Sequence, residues 1–298
     1  MTPEQSAQIA AGSTVLLMVF FGGASFIFGT IIGSFLNVCI YRLPRGESLF
    51  YPPSHCPKCY QPIRWEDNIP VLSWFLLRGR CRFCRQSISP AYPIVEFMTG
   101  ALFCTYYWRL AGFGAAPTAE LLGVYAAHMA FISSLVVATA IDFRFFVIPD
   151  EVTIPGMILA PIVSFVLPSM HEDVLVAGHP HVNSLAASLL GAAVGAGFVY
   201  GIGAAGKAVL RKEAMGLGDV KLMAMIGGIL GWKLTVFTVF ISALLGTAYG
   251  AVHIAITGSS RIPYGPFLSM AAILALAFKN AINIFIARLI LTYSFLLR

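Results

Sequence analysis

The 298-residue chain contains thirteen acidic residues, and five of them, Glu96, Asp142, Asp150, Glu151 and Asp219, stand at or inside the edges of apolar segments. An ionisable side chain at membrane depth is costly, so each is a candidate functional group. Asp142 closes one apolar stretch in Ala140-Ile141-Asp142-Phe143-Arg144. Asp219 opens another in Gly216-Leu217-Gly218-Asp219-Val220-Lys221. In the topology derived below, both lie at the same end of their helices and can meet at one depth. Two carboxylates a few ångströms apart do not both ionise freely; one keeps a proton while the other activates a water, an arrangement suited to attack on an amide carbonyl. Gly216 and Gly218 leave room for a substrate or a neighbouring helix beside Asp219. Plainer readings compete. Asp219 is placed to cap the helix that follows it, Asp142 and Arg144 suit an interfacial pair, and Asp150 and Glu151 read as N-terminal helix charges. Glu4, Glu47, Glu66, Asp67, Glu120, Glu172, Asp173 and Glu213 fall in tails or loops and read as solvated.

The second constellation is Cys56-Pro-Lys-Cys59 and Cys81-Arg-Phe-Cys84, with 21 residues between the pairs. Two such knuckles can surround a zinc ion with four thiolates. The gap is one residue beyond the common range of about 15–20. All four positions are filled by sulfur, so this zinc is expected to be structural, with no open position for catalysis. Disulfides are the competing reading, disfavoured by the reducing compartment to which the charge of this segment assigns it. A redox dithiol would use one pair rather than two. Cys39 and Cys104 sit in apolar segments and read as small core residues.

The elements that must position these groups are membrane helices. The chain is 58% hydrophobic and 11% charged, against about 25% charged in soluble domains, and its mean hydropathy is +0.82. The first apolar segment runs from about Val15 to Ile40, without the basic flank and cleavage site of a removed signal. A polar stretch of about 42–92 follows, and then apolar segments at about 94–111, 119–141, 152–168, 184–206, 219–231, 234–256 and 264–278. The expectation is an all-α polytopic membrane protein of about eight transmembrane helices, with a small cytoplasmic zinc-binding insert between helices 1 and 2. Its parts are a first transmembrane segment (1–41), a cysteine-rich domain (42–92) and a multi-helix membrane core (93–298). The tail 281–298, which carries Arg288, either extends the last span or lies along the interface.

Orientation follows from charge. Between Arg42 and Tyr92 lie eight basic and three acidic side chains, which places the insert in the cytoplasm and the N-terminus outside. The loops near Arg144, near Lys207, Arg211 and Lys212, and near Arg261 then fall inside. The loops around Gly114 and His171 fall outside and carry no lysine or arginine. The positive charge suits a lipid surface, not nucleic acid, because no recognition module accompanies it. No internal repeat of the kind that builds transporters is visible.

Five runs in order resemble one family, the bifunctional type IV prepilin peptidases of the intramembrane Gly-x-Gly-Asp aspartic proteases. They are Gly33-Ser34-Phe35-Leu36-Asn37-Val38-Cys39-Ile40-Tyr41-Arg42-Leu43-Pro44, the double cysteine knuckle, Tyr92-Pro93-Ile94-Val95-Glu96, the segment from Asp142 to Ile148-Pro149-Asp150, and Gly216-Leu217-Gly218-Asp219-Val220-Lys221. The resemblance implies that Asp142 and Asp219 are the catalytic pair, with Gly216, Gly218, Asp150 and Lys221 supporting them. It implies a bacterial inner-membrane enzyme acting on type IV prepilins or pseudopilins of pilus or type II secretion systems. Those substrates carry a short basic leader cut at the cytoplasmic face. The cysteine domain implies a second activity, methylation of the new N-terminus with S-adenosylmethionine. Glu96 is the candidate on that side, with a helix N-terminal charge as the competing reading. Ala91 departs from the arginine frequent in the family before Tyr-Pro.

The expected mechanism has the substrate's apolar helix entering from the bilayer while its basic leader is drawn to headgroups or to Glu66 and Asp67. No histidine is placed to activate a serine or cysteine. His128 and His253 read as helix–helix contacts, and His171, His179 and His181 as a solvated outer loop with metal binding as the alternative. Two rivals remain: a transporter relaying protons through its carboxylates, and a scaffold recruiting a partner through its zinc insert.

Overall fold

The computed structural model describes residues 3–111, 118–211, 215–259 and 261–296. The Gly114 loop, Lys212 and Glu213 lie outside the described residues. Among the described residues the chain is helical and has no strand beyond two isolated bridges. It divides into two compact units, Met1–Val137 and Ala138–Arg298.

The first unit holds α1 (Pro3–Arg42), the short α2 (Leu72–Leu76), α3 (Ala91–Ala111) and most of α4 (Ala119–Phe145). Helix α1 stays helical through its long apolar run and ends on basic Arg42, favourably placed against the carbonyl end of the helix. Its Gly29 and Gly33, four residues apart, face α3. A Cβ on Gly29 would lie 2.7 Å from Gly100 Cα, and one on Gly33 would lie 2.7 Å from Glu96 Cα. Glycines at this spacing let two membrane helices approach backbone to backbone. On the opposite flank of α3, Tyr106 Oη lies 2.8 Å from His128 Nδ1 of α4, the interhelical contact expected of His128.

Between α1 and α3 the insert is built from two matching knuckles. Cys56-x-x-Cys59-x-Gln61-x-Ile63 and Cys81-x-x-Cys84-x-Gln86-x-Ile88 repeat one pattern. In each, the first cysteine's N–H donates to the glutamine carbonyl, at 3.0 and 2.9 Å, and its own carbonyl accepts the N–H of the residue after the second cysteine. Those following residues, Tyr60 and Arg85, sit at φ 58° and 60°. A repeat thus exists inside the insert, where none was read from the sequence.

The second unit holds the end of α4, then α5 (Asp150–Val166), α6 (Pro180–Leu210), α7 (Leu217–Leu230), α8 (Trp232–Thr257), α9 (Gly265–Ala277) and α10 (Lys279–Leu296). Every residue of α7 from Leu222 to Leu230 is buried. Its Gly227 packs so closely on Gly191 of α6 that an added Cβ would fall 2.1 Å from a backbone oxygen.

All eight expected segments are helical, but length and composition separate them; α3, with 21 residues, is not among the helices both long and apolar enough to cross alone. Helices α1, α4, α6 and α8 are long and apolar enough to cross a membrane alone, and α9 with α10, bent by 81°, makes up to a fifth. With 17, 14 and 13 residues, α5, α7 and α9 fall short of the roughly 20 that span a bilayer core. The tail past 281 belongs to α10, which turns sharply away from α9.

Candidate active site

The chain's connections converge at the first turn of α7. Helix α4 ends at Phe145, and Phe146 takes φ 54° to turn the chain away. Asp142, one turn before that end, is buried. Its Oδ2 accepts the N–H of Gly265, the first residue of α9, at 2.9 Å. Asp219 is the third residue of α7 and lies within electrostatic reach of Asp142. Its Oδ2 accepts the N–H of Gly216 at 3.2 Å, so the capping role weighed above is present and leaves the carboxylate facing its partner's field. Ile148 wedges between the backbone of α7 beside Asp219 and that of α9 at Gly265. A Cβ on Gly218 would meet Ile148 Cβ at 3.2 Å, and one on Gly265 would meet Ile148 Cδ1 at 3.1 Å. The approach that Gly218 permits is therefore filled by a neighbouring side chain.

Around this pair, Asp150 at the start of α5 receives Lys221 Nζ on both oxygens at 2.8 Å, which ties α5 to α7 two residues beyond Asp219. Tyr264, just ahead of Gly265, shares a 2.9 Å hydrogen bond with Ser242 of α8 and also lies within reach of the charge on Asp219. Gly265, Tyr264 and Ser242 were not singled out from the sequence. A backbone N–H that orients a carboxylate has no residue type to betray it, and 123 positions separate it from Asp142.

In the insert, the Sγ atoms of Cys56, Cys59, Cys81 and Cys84 all lie within 4.8 Å of one another. Cys56–Cys84 and Cys59–Cys81 are 3.9 and 4.0 Å apart. A tetrahedron with Zn–S of about 2.3 Å has edges of about 3.8 Å, whereas a disulfide would need about 2.05 Å. The four sulfurs therefore fit a zinc ion. Asp67, packed against Arg82 with a 2.7 Å bond to its Nε, has its carboxyl held below the usual range by that guanidinium. It is thus ion-paired rather than solvated as expected.

Glu96 stands in the second turn of α3, too far along to act as a helix N-terminal charge. Its Oε2 accepts the N–H of Val71 at 2.6 Å. Val71 has φ 63° and ψ −54°, and Leu72 N–H returns to the Pro70 carbonyl at 2.6 Å. This is a γ-turn centred on a β-branched residue, a strained conformation.

Two models of peptidase domains match the chain. The bacterial peptidase A24 N-terminal domain covers residues 27–110, and the type IV leader peptidase family covers 129–251. A prepilin leader peptidase/N-methyltransferase of Klebsiella pneumoniae is 38% identical over 71% of this chain and 86% of its own length. The chain belongs to the type IV leader peptidase family. The equivalent protein of Stutzerimonas stutzeri is 32% identical over 86% of this chain and 90% of its own, and that of Aeromonas hydrophila 33% over 87% and 91%. No solved structure matches the chain. The first model takes in the cysteine cluster and Glu96, and the second takes in Asp142, Asp150, Asp219 and Lys221. The chain is thus a membrane-embedded enzyme of this peptidase family, and the transporter and scaffold readings find no support among its relatives.

The histidine and acidic loops differ from expectation. His171 is buried, with Nε2 3.1 Å from Ser164 Oγ, and burial pushes its imidazole down to about 4. The neighbouring Glu172 and Asp173 are ion-paired with Lys279 and Lys233 rather than merely solvated. Among the described residues the cysteines are the one cluster able to hold a metal. His253 stacks on Tyr249 of its own helix rather than bridging two helices.

Proposed function

We propose that this chain removes the basic leader of type IV prepilins or pseudopilins at the cytoplasmic face of the bacterial inner membrane, and then methylates the new N-terminus with S-adenosylmethionine. The observation that carries the first half is the pairing of a buried Asp142, aimed by Gly265, with Asp219 inside its electrostatic field. The names of the relatives support both halves.

In this mechanism one aspartate holds a proton and the other is ionised, because two negative charges in each other's field are unfavourable. The ionised carboxylate takes a proton from water as its oxygen bonds to the scissile carbonyl carbon. The protonated partner supplies a proton as the C–N bond breaks and the amine leaves. No acyl-enzyme forms. The Gly265 N–H fixes the Asp142 carboxylate, and the Gly216 N–H fixes that of Asp219. Lys221 and Asp150 hold α7 against α5 beside them. Helix α3 and the short helices α5, α7 and α9 complete eight crossings, α7 and α9 largely buried among their neighbours, with the N-terminus outside and the insert cytoplasmic. Zinc on the four cysteines would serve as a staple for an insert too small to hold a large apolar core.

The test is cleavage of a purified prepilin in detergent by wild type, Asp142→Asn and Asp219→Asn, with zinc content as the folding control. Loss of cleavage in both variants is expected. Cleavage by either variant removes that residue from the mechanism, and a wild type that cuts no prepilin overturns the reading.

A further inference from the structure

Two cavities meet at Glu96. The larger, about 420 Å³, runs along the α1–α3 seam, where Ile31, Phe35 and Val38 line it together with Asn37, Tyr92 and Glu96. Phe35 and Ile31 are 46% and 52% exposed, so the cavity opens on the apolar flank of a membrane helix. The second, about 350 Å³, lies within the insert and is lined by Asn68, Val71, Trp74, Ile88 and Glu96 among others. His55, Pro57, Ile63, Asn68, Tyr92 and Glu96 border both. Each volume is within the range of ligand pockets, about 300–1,000 Å³.

The junction has one available negative charge. Among the described residues Glu96 is the only carboxylate lining the larger cavity, and in the smaller one the other carboxylate, Asp67, is taken by Arg82. Glu96 is engaged by neutral donors, the Val71 N–H and the side chains of Ser34 and Asn37. Among the described residues no ion pair neutralises it. Arg42, which also lines the larger cavity, is committed to the carbonyls of Ser48 and Pro52. A half-buried, unneutralised carboxylate beside the exposed apolar wall of a groove fits a ligand with a cationic tip on a hydrophobic body.

We infer that the groove between α1 and α3 receives the trimmed, apolar N-terminus of the product chain, and that Glu96 binds its terminal ammonium opposite a methyl donor held in the cavity of the insert. This rests on the processing activity proposed above. The step balances as follows. The ammonium gives a proton to Glu96 or to water, and the freed amine lone pair forms the N–C bond to the donor's methyl group. The C–S bond breaks with its electron pair remaining on sulfur, which converts a sulfonium into a thioether. The methylated amine retains the positive charge opposite Glu96. The larger cavity reaches the exposed apolar flank of α1 and so takes the apolar acceptor, which leaves the insert cavity, with Trp74 and the polar Gln61, Asn68 and Gln86 on its wall, for the donor. The strained turn at Val71 forms part of the wall between them and is anchored by the same carboxylate.

The test uses the zinc-loaded full chain and two synthetic apolar peptides with the sequence of a mature pilin N-terminus, one with a free amine and one N-acetylated. Wild type is expected to bind the free amine at least tenfold more tightly. Glu96→Gln keeps an acceptor for the Val71 N–H while removing the charge, and is expected to bind both peptides alike, with prepilin cleavage and zinc content unchanged. Direct titration with S-adenosylmethionine should shift by less than threefold in the same variant. Equal binding of the two peptides by wild type overturns the inference, and this comparison needs no variant at all. A Glu96→Gln protein that keeps its preference for the free amine but loses the donor also overturns it. Because cleavage is measured on the same preparations, loss of the wider reading would register as uncut prepilin, independently of the peptide result.

Discussion

Replacing Gly265 with alanine probes the carboxylate pair through a residue that has no functional group of its own. The added Cβ would lie 2.8 Å from Asp142 Oδ2 and 3.1 Å from Ile148 Cδ1. Ordinary contact begins near 3.4 Å, and Ile148 blocks retreat on one side, so the carboxylate must give way. Its 2.9 Å bond from Gly265 N–H then lengthens beyond useful range. A hydrogen bond to a charged group is worth about 1.5–3 kcal/mol, which corresponds to a fall in cleavage of about one to two orders of magnitude if that orientation is needed in the transition state. The assay is the initial rate of prepilin cleavage with the protein in detergent, read beside Gly197→Ala. Gly197 lies in α6, and a Cβ there would meet nothing within 4 Å, so that control should cut at the wild-type rate and be slightly more stable. A Gly265→Ala enzyme that cuts as fast as the control would refute the claim that α9 aims Asp142.

Asp150→Asn should lower cleavage by less than tenfold, because Asp150 and Lys221 are 54% and 35% exposed and such pairs contribute about 0–1 kcal/mol; a loss as deep as that of Asp142→Asn would instead put Asp150 in the chemistry. Metal analysis should find one zinc per chain, and Cys59→Ser with Cys84→Ser should release it and abolish methyl transfer. Retention of zinc by that double variant would show that the sulfurs are not its ligands. His171, neutral when folded and pushed down to about 4, makes stability complete above its unfolded value near 6.5 and lower as pH falls towards 4, by at most on the order of 3 kcal/mol. Thermal unfolding of His171→Gln should show a flatter dependence across that window, and an unchanged slope would assign the effect to other groups.

The sequence exposed what depends on residue type. Four cysteines in two knuckles, and two aspartates flanked by apolar runs, are each rare enough to stand out, and the structure assembles the first set and brings the second within mutual electrostatic reach. It concealed what depends on backbone geometry and on distant packing. The N–H of Gly265 is one donor among hundreds until α9 is docked beside α4. Val71 gives no sign of a left-handed turn, since β-branched residues avoid that conformation. Glu172 and Asp173 looked solvated because Lys279 and Lys233 lie far away in sequence. The short helices α7 and α9 read as full spans because apolar content alone does not distinguish contact with lipid from contact with protein.

That last distinction matters for α7. With 14 residues it is about 21 Å long, against a hydrocarbon core of about 30 Å, and from Leu222 to Leu230 it is sheathed by its neighbours. A helix buried along that stretch has little stake in bilayer thickness. When the membrane thickens or thins, the tilt and stretch fall on long lipid-facing helices such as α1 and α8, while Asp219 keeps its register with Asp142. On the function proposed above, the scissile bond is met at a depth set by the protein rather than by the surrounding lipid, so cleavage is expected at the same bond in membranes of differing composition.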